Sequence, residues 1–165
     1  MLTLSRLSDY AIVVVSRLAA RGGGGQASAR ALAEETHIPL PTVIKVLKLL
    51  AAQGALASIQ GRKGGYRLAR PPTAISVIEI IEAVEGPIAL TECNREASAC
   101  RIEPTCGVHR HWLMINTAIR DALTHISVAE LADPVVPLAS WISVSVGGVP
   151  AAGPVLKSPI TSTRG

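Results

Sequence analysis

The stretch PTVIKVLKLLAAQGALASIQGRKGGYRLA, residues 41–69, decides the fold that we predict for this chain. Its first part predicts an amphipathic helix from Pro41 to about Gln53, ended by Gly54. Pro41 suits the first helical position, because that position needs no backbone N–H donor. The apolar stripe has the spacing i, i+3, i+4 and i+7 and consists of Val43, Val46, Leu47 and Leu50.

A short hairpin is predicted directly after this helix. Residues 55–59 and 66–69 read as two strands, and the basic, glycine-rich segment 60–65 lies between them as the tip. Arg62 and Lys63 carry the charge of the tip, and its glycines allow close approach to a phosphate backbone or a minor groove. The alternative is an ordinary hairpin made soluble by charge.

Two more helices are predicted upstream. Ser8 is the expected N-cap of a helix over residues 8–20, and Ser28 is the expected N-cap of a helix over residues 29–36. A short connection then leads into the basic helix, so this pair matches a helix-turn-helix followed by a wing. The candidate DNA-binding residues are Thr42, Lys45, Lys48, Arg62 and Lys63.

The charge of the chain is unevenly distributed along its length. Residues 1–72 hold ten Lys and Arg against three Asp and Glu, whereas residues 73–132 hold four against eight. A basic front half indicates a polyanionic partner, and nucleic acid is the commonest one. The alternative is a solvated basic face without a partner.

The second part of the chain is predicted to be helical around a cysteine-rich loop. A helix over residues 77–84, with Glu79, Glu82 and Glu85 exposed, precedes the loop, and a long helix runs from about Arg110 to His125. The long helix needs a second surface to cover its apolar stripe, most simply the same helix of a partner subunit; packing onto its own domain is the alternative. The stripe consists of Trp112, Ile115, Ile119, Ala122, Leu123 and Ile126.

These elements predict a mainly α fold with three parts. Residues 1–72 form a winged helix-turn-helix domain with a small two-stranded wing, and residues 73–132 hold the cysteine loop and a dimerisation helix. Residues 133–165 are rich in Pro, Gly, Ser and Val without lasting periodicity, which predicts a disordered tail.

The segment from Cys93 to His109 is the candidate metal site. All three cysteines of the chain lie here, spaced Cys-x6-Cys-x5-Cys, and His109 follows the last one after two residues. Thiolates suit iron–sulfur clusters and zinc, and an imidazole can complete a four-ligand set. Three unrelated cysteines are the alternative. An odd number of cysteines, no signal peptide and no apolar run of membrane-spanning length predict a cytoplasmic protein without a membrane partner.

The motifs resemble the winged-helix iron–sulfur transcription regulators, the group that includes IscR and NsrR. The similar stretches are residues 4–11, the Gly64-Gly65-Tyr66-Arg67-Leu68 end of the wing, and the cysteine loop; residues 87–93 further resemble the branch that regulates the SUF iron–sulfur assembly system. The resemblance covers residues 1–132. It implies a homodimer that binds a palindromic promoter site in double-stranded DNA and carries a cluster that alters DNA binding.

Under this resemblance, Cys93, Cys100 and Cys106 are the cysteine ligands, although the first gap is one residue longer than in the IscR pattern. His109 falls where IscR-like members have a ligand to a two-iron cluster. Asp9 falls where NsrR-like members offer an aspartate from the partner subunit to a four-iron cluster. We favour the two-iron cluster with His109, while Asp9 stays the alternative ligand and His111 a nearby competitor.

The leading interpretation is therefore a transcriptional repressor that senses iron–sulfur status and controls iron–sulfur assembly genes. A nitric-oxide-responsive repressor of the same fold and a zinc-stabilised winged-helix protein are the alternatives. A thiol oxidoreductase is disfavoured, because the chain has no Cys-x-x-Cys in a βαβ pattern, no P-loop and no dinucleotide fingerprint. We predict neither an enzyme nor a small-molecule substrate.

Overall fold

A computed structural model describes residues 4–22, 24–61, 64–95 and 100–133. Arg62, Lys63 and the predicted tail beyond residue 133 lie outside these ranges. The described order confirms the predicted mainly α fold, a helix-turn-helix followed by a two-stranded wing and a long helix. The elements are α1 (Arg6–Ala19), α2 (Ala29–Thr36), α3 (Leu40–Ala52), β1 (Leu56–Ile59), β2 (Gly65–Leu68), α4 (Val77–Glu85), α5 (His109–Thr124) and α6 (Val128–Ala132).

The N-terminus of α1 differs from the prediction. Ser5, with an extended backbone, is the N-cap, and its hydroxyl oxygen accepts a hydrogen bond from the backbone N–H of Ser8. Ser8 is fully buried inside the first turn. The prediction that Ser8 caps this helix is wrong, because an equally good capping hydroxyl lies three residues earlier and lets the helix begin at Arg6.

The helix-turn-helix is built as its sequence predicts, except that α3 begins at Leu40 and Pro41 takes the second helical position instead of the first. Ser28 caps α2 by accepting a hydrogen bond from the N–H of Ala31, 3.1 Å away. At the other end, His37 adopts the left-handed conformation with φ of 57°, which turns the chain sharply toward α3. The predicted apolar stripe of α3 is confirmed, since its four residues are fully buried: Val43, Val46, Leu47 and Leu50.

The wing is an antiparallel pair that is also tied to the start of α2. Leu56 lies opposite Leu68 in the register of β1 and β2. On the other edge of β2, the N–H of Tyr66 donates to the carbonyl of Ala27 over 2.8 Å, and the N–H of Ala27 donates back over 3.0 Å. A Cβ on Gly65 would lie 2.4 Å from the Ala27 carbonyl oxygen, so this close approach requires glycine.

One aliphatic core joins most of the helices. Helix α1 packs against α3, α4 and α6. The core contains Leu18 and Leu47 from the front of the chain and Ile80 and Val128 from the back. Residues from both sides of position 72 thus share one core, and the division into parts 1–72 and 73–132 stays a prediction.

Helix α5 lies at the margin of this core. It packs against α4 and against the 3-10 turn at residues 92–94. Asn116 is its buried residue, while the predicted stripe residues are exposed or half-buried, including Trp112 and Ile115. The described helices include none that is both long and apolar enough to cross a membrane.

Candidate functional site

The outward face of α3 carries the candidate DNA-reading residues. Lys45 and Lys48 are exposed and Thr42 is half-buried, opposite the stripe that packs into the core. The two lysines are three residues apart, so they lie on adjacent turns of one side of the helix. Burial of the stripe therefore fixes which side of α3 is presented to a partner.

The charge on this face is available to an external anion. Elsewhere in the front half, Arg21 forms an ion pair with Glu35, and Arg70 forms one with Glu79. In contrast, Lys45 and Lys48 form no ion pair with any residue that the structure describes. Ammonium groups in such a position can donate hydrogen bonds to phosphates or base edges.

The three cysteines lie in separate turns of the segment between α4 and α5. Cys93 sits in the 3-10 turn at residues 92–94, while Cys100 precedes and Cys106 follows a second such turn at residues 103–105. All three side chains are half-buried thiols, and none forms a disulfide. The hydroxyl of Thr91 lies 3.1 Å from Sγ of Cys93.

His109 is the first residue of α5 and lies three positions after Cys106; its backbone N–H donates to the carbonyl of Cys106 over 3.2 Å. Its Nε2 lies 3.9 Å from a carboxylate oxygen of Glu103. Its Nδ1 is buried and has no hydrogen-bond partner among the described residues. A buried ring nitrogen without a hydrogen-bond partner is unusual, because buried polar atoms normally form hydrogen bonds.

The candidate ligands are not gathered into one group. Across the described ranges, no three side chains of His, Cys, Asp or Glu lie close enough together to hold a metal ion. Asp9, the alternative ligand, is exposed in the first turn of α1. Residues 96–99, in the connection between Cys93 and Cys100, lie outside the described ranges.

Hydrogen bonds from polar side chains attach the segment before Cys93 to α4 and α5. Asn116 accepts a hydrogen bond from the N–H of Leu90 at 3.1 Å and donates to the carbonyl of Ile88 at 3.3 Å. Glu82 accepts from the N–H of Ile88 at 3.0 Å and pairs with Arg120 of α5. After Cys93, the side-chain Nδ2 of Asn94 donates a hydrogen bond to the backbone carbonyl of Trp112 at 3.3 Å.

The sequence did not predict that Asn116, Glu82 and Asn94 attach this segment to the helices. The sequence predicts that Glu79, Glu82 and Glu85 are exposed; Glu85 is exposed, whereas Glu79 and Glu82 are half-buried. Their carboxylates accept hydrogen bonds from Ser8 (Glu85), Arg70 (Glu79) and the N–H of Ile88 (Glu82). The position of Asn116 did carry a signal. It follows Trp112 by four residues and precedes Ile119 by three, which puts a polar amide on the apolar stripe of α5.

These features together define a winged-helix DNA-binding regulator, a class of protein without enzymatic activity. The chain belongs to the Rrf2 family, which is described as an iron-dependent transcriptional regulator and matches residues 4–134. The prediction of an IscR- and NsrR-like regulator is thereby confirmed at the level of the family.

Individual relatives agree with this assignment. NsrR of Bacillus subtilis is 31% identical over 106 residues, which are 64% of this chain and 73% of that protein. The structure is similar to that of CymR, the global cysteine regulator of B. subtilis, at 26% identity, with a TM-score of 0.63 and 80% and 97% of the two chains covered. It is also similar to IscR of T. potens, at 25% identity, a TM-score of 0.58 and coverage of 79% and 85%.

Proposed function

We propose that this protein is a homodimeric, cytoplasmic repressor whose DNA binding responds to an iron–sulfur cluster held by Cys93, Cys100, Cys106 and His109. The genes it controls are those of iron–sulfur cluster assembly. The fold and family make it a DNA-binding regulator; the cluster, its ligands and the target genes are the proposed part.

The buried, unpartnered Nδ1 of His109 carries this proposal. It lies at the end of a segment that holds every thiol of the chain, and three thiolates with one imidazole suit a two-iron cluster. A metal-bound nitrogen would account for a ring atom that lacks a hydrogen bond. Because the cysteines lie in separate turns, a metal that they share would draw these turns together, and its binding would be coupled to local folding.

A bound cluster would supply an electron-accepting group that is sensitive to oxidants and nitric oxide. The residues of the chain offer a route from this segment to DNA. Asn116 and Glu82 attach the segment to α5 and α4, and α4 packs against both α1 and α3. A rearrangement at Cys93 would therefore reach the helix that carries Lys45 and Lys48 through contacts that already exist.

The exposed apolar surface of α5 supports a homodimer. Three large apolar side chains within one turn of this helix are exposed: Trp112 by 39%, Met114 by 70% and Ile115 by 44%. A second copy of α5 is the simplest cover, because a regulator that reads a palindromic site needs a two-fold axis. In such a homodimer, the exposed Asp9 of one subunit is the alternative ligand for the cluster of its partner.

Two alternatives keep the same fold. A four-iron, nitric-oxide-responsive cluster that uses Asp9 of the partner subunit is supported by the exposure of Asp9 and by the NsrR relatives. A zinc ion on the same donors is chemically possible, since zinc also accepts thiolate and imidazole.

Anaerobic purification of the full chain, with iron and sulfide analysis, absorbance and Mössbauer spectra, tests the proposal. We expect a coloured protein with about two irons and two sulfides per subunit. A colourless zinc protein would exclude the cluster, and a four-iron spectrum would select the Asp9 alternative. Cys93→Ala, Cys100→Ala and Cys106→Ala should each abolish the cluster and keep the helical circular dichroism. Full iron occupancy in any one of them would refute the ligand assignment.

A further inference from the structure

We propose that Asn116 is a positioning residue that holds Cys93 in place before any metal binds. This inference rests on the proposed function only in taking Cys93 as a ligand. Whether the hydrogen bonds of Asn116 restrain Cys93 in the metal-free protein can be tested without a cluster.

The environment of Asn116 is the first argument. The residue is 9% exposed, on a helix whose other residues are exposed or half-buried. A polar amide in such a position is stable only when its hydrogen-bonding groups are satisfied. Both ends of this amide are satisfied by one stretch of backbone, through the N–H of Leu90 and the carbonyl of Ile88.

The chemistry of the amide is the second argument. A side-chain amide presents one acceptor and two donors in one plane, so it can bind an extended backbone at a donor and an acceptor simultaneously. A carboxylate in its place could still accept from Leu90 but would face the carbonyl of Ile88 with another acceptor. Leucine would keep the branched shape, with a larger volume, and lose both bonds. Asparagine therefore suits this backbone stretch better than either of these side chains.

The third argument is that the hydrogen bonds of Asn116 lie close to Cys93 in the chain. Cys93 lies three residues beyond Leu90, and the next residue, Asn94, is fastened to the carbonyl of Trp112. Both attachments are on α5, so Cys93 is bracketed by two hydrogen-bonded points on the helix that begins with His109. Holding one ligand in place removes part of the conformational entropy that metal binding would otherwise cost.

The experiment compares Asn116→Leu and Asn116→Asp with Thr117→Ala, an exposed neighbour on the same helix, in metal-free full-length protein. Hydrogen exchange is measured at the Leu90 amide, and maleimide alkylation rates are measured separately for Cys93 and Cys106. In Asn116→Leu we expect Leu90 to exchange about tenfold faster, the equivalent of one lost hydrogen bond. Alkylation of Cys93 should rise at least about threefold relative to Cys106.

Asn116→Asp should protect Leu90 better than Asn116→Leu does, because one acceptor remains, and Thr117→Ala should match the wild type. Unchanged Leu90 exchange, or equal increases at Cys93 and Cys106, would overturn the proposal, since general loosening affects both thiols. Chelator-driven iron release from loaded protein is the second readout, and it should be faster in Asn116→Leu. If the wild type binds no iron, the cluster proposal fails, while the exchange and alkylation results still decide the role of Asn116.

Discussion

The hydroxyl of Ser8 donates a 2.6 Å hydrogen bond to Oε1 of Glu85, which joins the first turn of α1 to the last residue of α4. The same oxygen accepts the backbone N–H of Ser5 at 2.7 Å. Ser8 is fully buried, whereas Glu85 is exposed at the rim. The hydrogen bond from Ser8 and then that from Ser5 stabilise the ionised carboxylate, so they lower the pKa of Glu85 below its ordinary value of 4.5.

This contact predicts a pH-dependent stability. Because the folded-state pKa of Glu85 lies below its unfolded value, its contribution is complete above the unfolded pKa and is lost as the pH falls through the folded pKa. Ser8→Ala should cost about 1 kcal/mol of unfolding free energy at neutral pH, and this penalty should shrink in acid. Urea unfolding followed by circular dichroism at several pH values measures it. Ser16→Ala is the control, because the Ser16 hydroxyl donates to the Ile12 carbonyl and involves no titrating group. An equal Ser8→Ala penalty at neutral and acidic pH would contradict this account.

The backbone hydrogen bonds between Tyr66 and Ala27 predict that position 65 requires glycine. Gly65→Ala would press a methyl group against the carbonyl of Ala27, which must move and weaken its pairing with Tyr66. We expect a loss of about 1–3 kcal/mol in thermal or urea unfolding. Gly24→Ala, where an added Cβ meets nothing within 4 Å, should change stability by less than about 0.5 kcal/mol. A neutral Gly65→Ala would show that the Ala27 bridge does not restrain the wing.

The apolar face of α5 predicts an effect on oligomeric state. Ile115→Glu places a charge within the proposed subunit contact, where burial without a partner is costly, so the protein should dissociate to monomers. Sedimentation or light scattering at several concentrations measures this. Thr117→Glu, on another side of the same helix, should leave the mass unchanged. A dimer that survives Ile115→Glu would place the subunit contact elsewhere.

The fourth ligand can be assigned by comparing two substitutions. His109→Ala should shift the visible spectrum and make the cluster labile, because it removes the proposed imidazole ligand. Asp9→Ala should leave the spectrum unchanged. The reverse result would favour the aspartate of the partner subunit, and insensitivity to both would point to His111 or solvent.

DNA binding should respond differently to changes in the wing and in α3. The pair Arg62→Ala and Lys63→Ala should weaken binding to all sequences and reduce the salt slope by roughly one unit per lost phosphate contact. Changes at Thr42 or Lys45 should cost about 1–3 kcal/mol at particular base pairs and relax discrimination there. Fluorescence anisotropy with operator and scrambled duplexes at several salt concentrations separates the two patterns. If a quadruple alanine variant of Arg62, Lys63, Lys45 and Lys48 bound DNA normally, the proposed interface would be wrong.

The sequence predicts well those features that depend on neighbouring residues. The stripe of α3, the Ser28 cap and the hairpin follow from spacings of a few positions, and the structure confirms them. The hydrogen bonds between distant residues could not be predicted in this way, because Asn116 and Leu90 are 26 positions apart and Ser8 and Glu85 are 77 apart. Periodicity shows which face of a helix is apolar, but it contains no information on which distant carboxylate or amide a polar group will meet.

The bridge between Ala27 and Tyr66 has a consequence for solubility. A two-stranded hairpin normally presents two open edges, and an open edge can pair with a strand of another molecule and begin aggregation. In this fold the outer edge of β2 is closed at its centre, because both backbone hydrogen-bonding groups of Tyr66 are used by Ala27. The chain segment before α2 therefore blocks strand pairing at this edge of the wing, and the short length of the strands, four residues each, further limits such pairing.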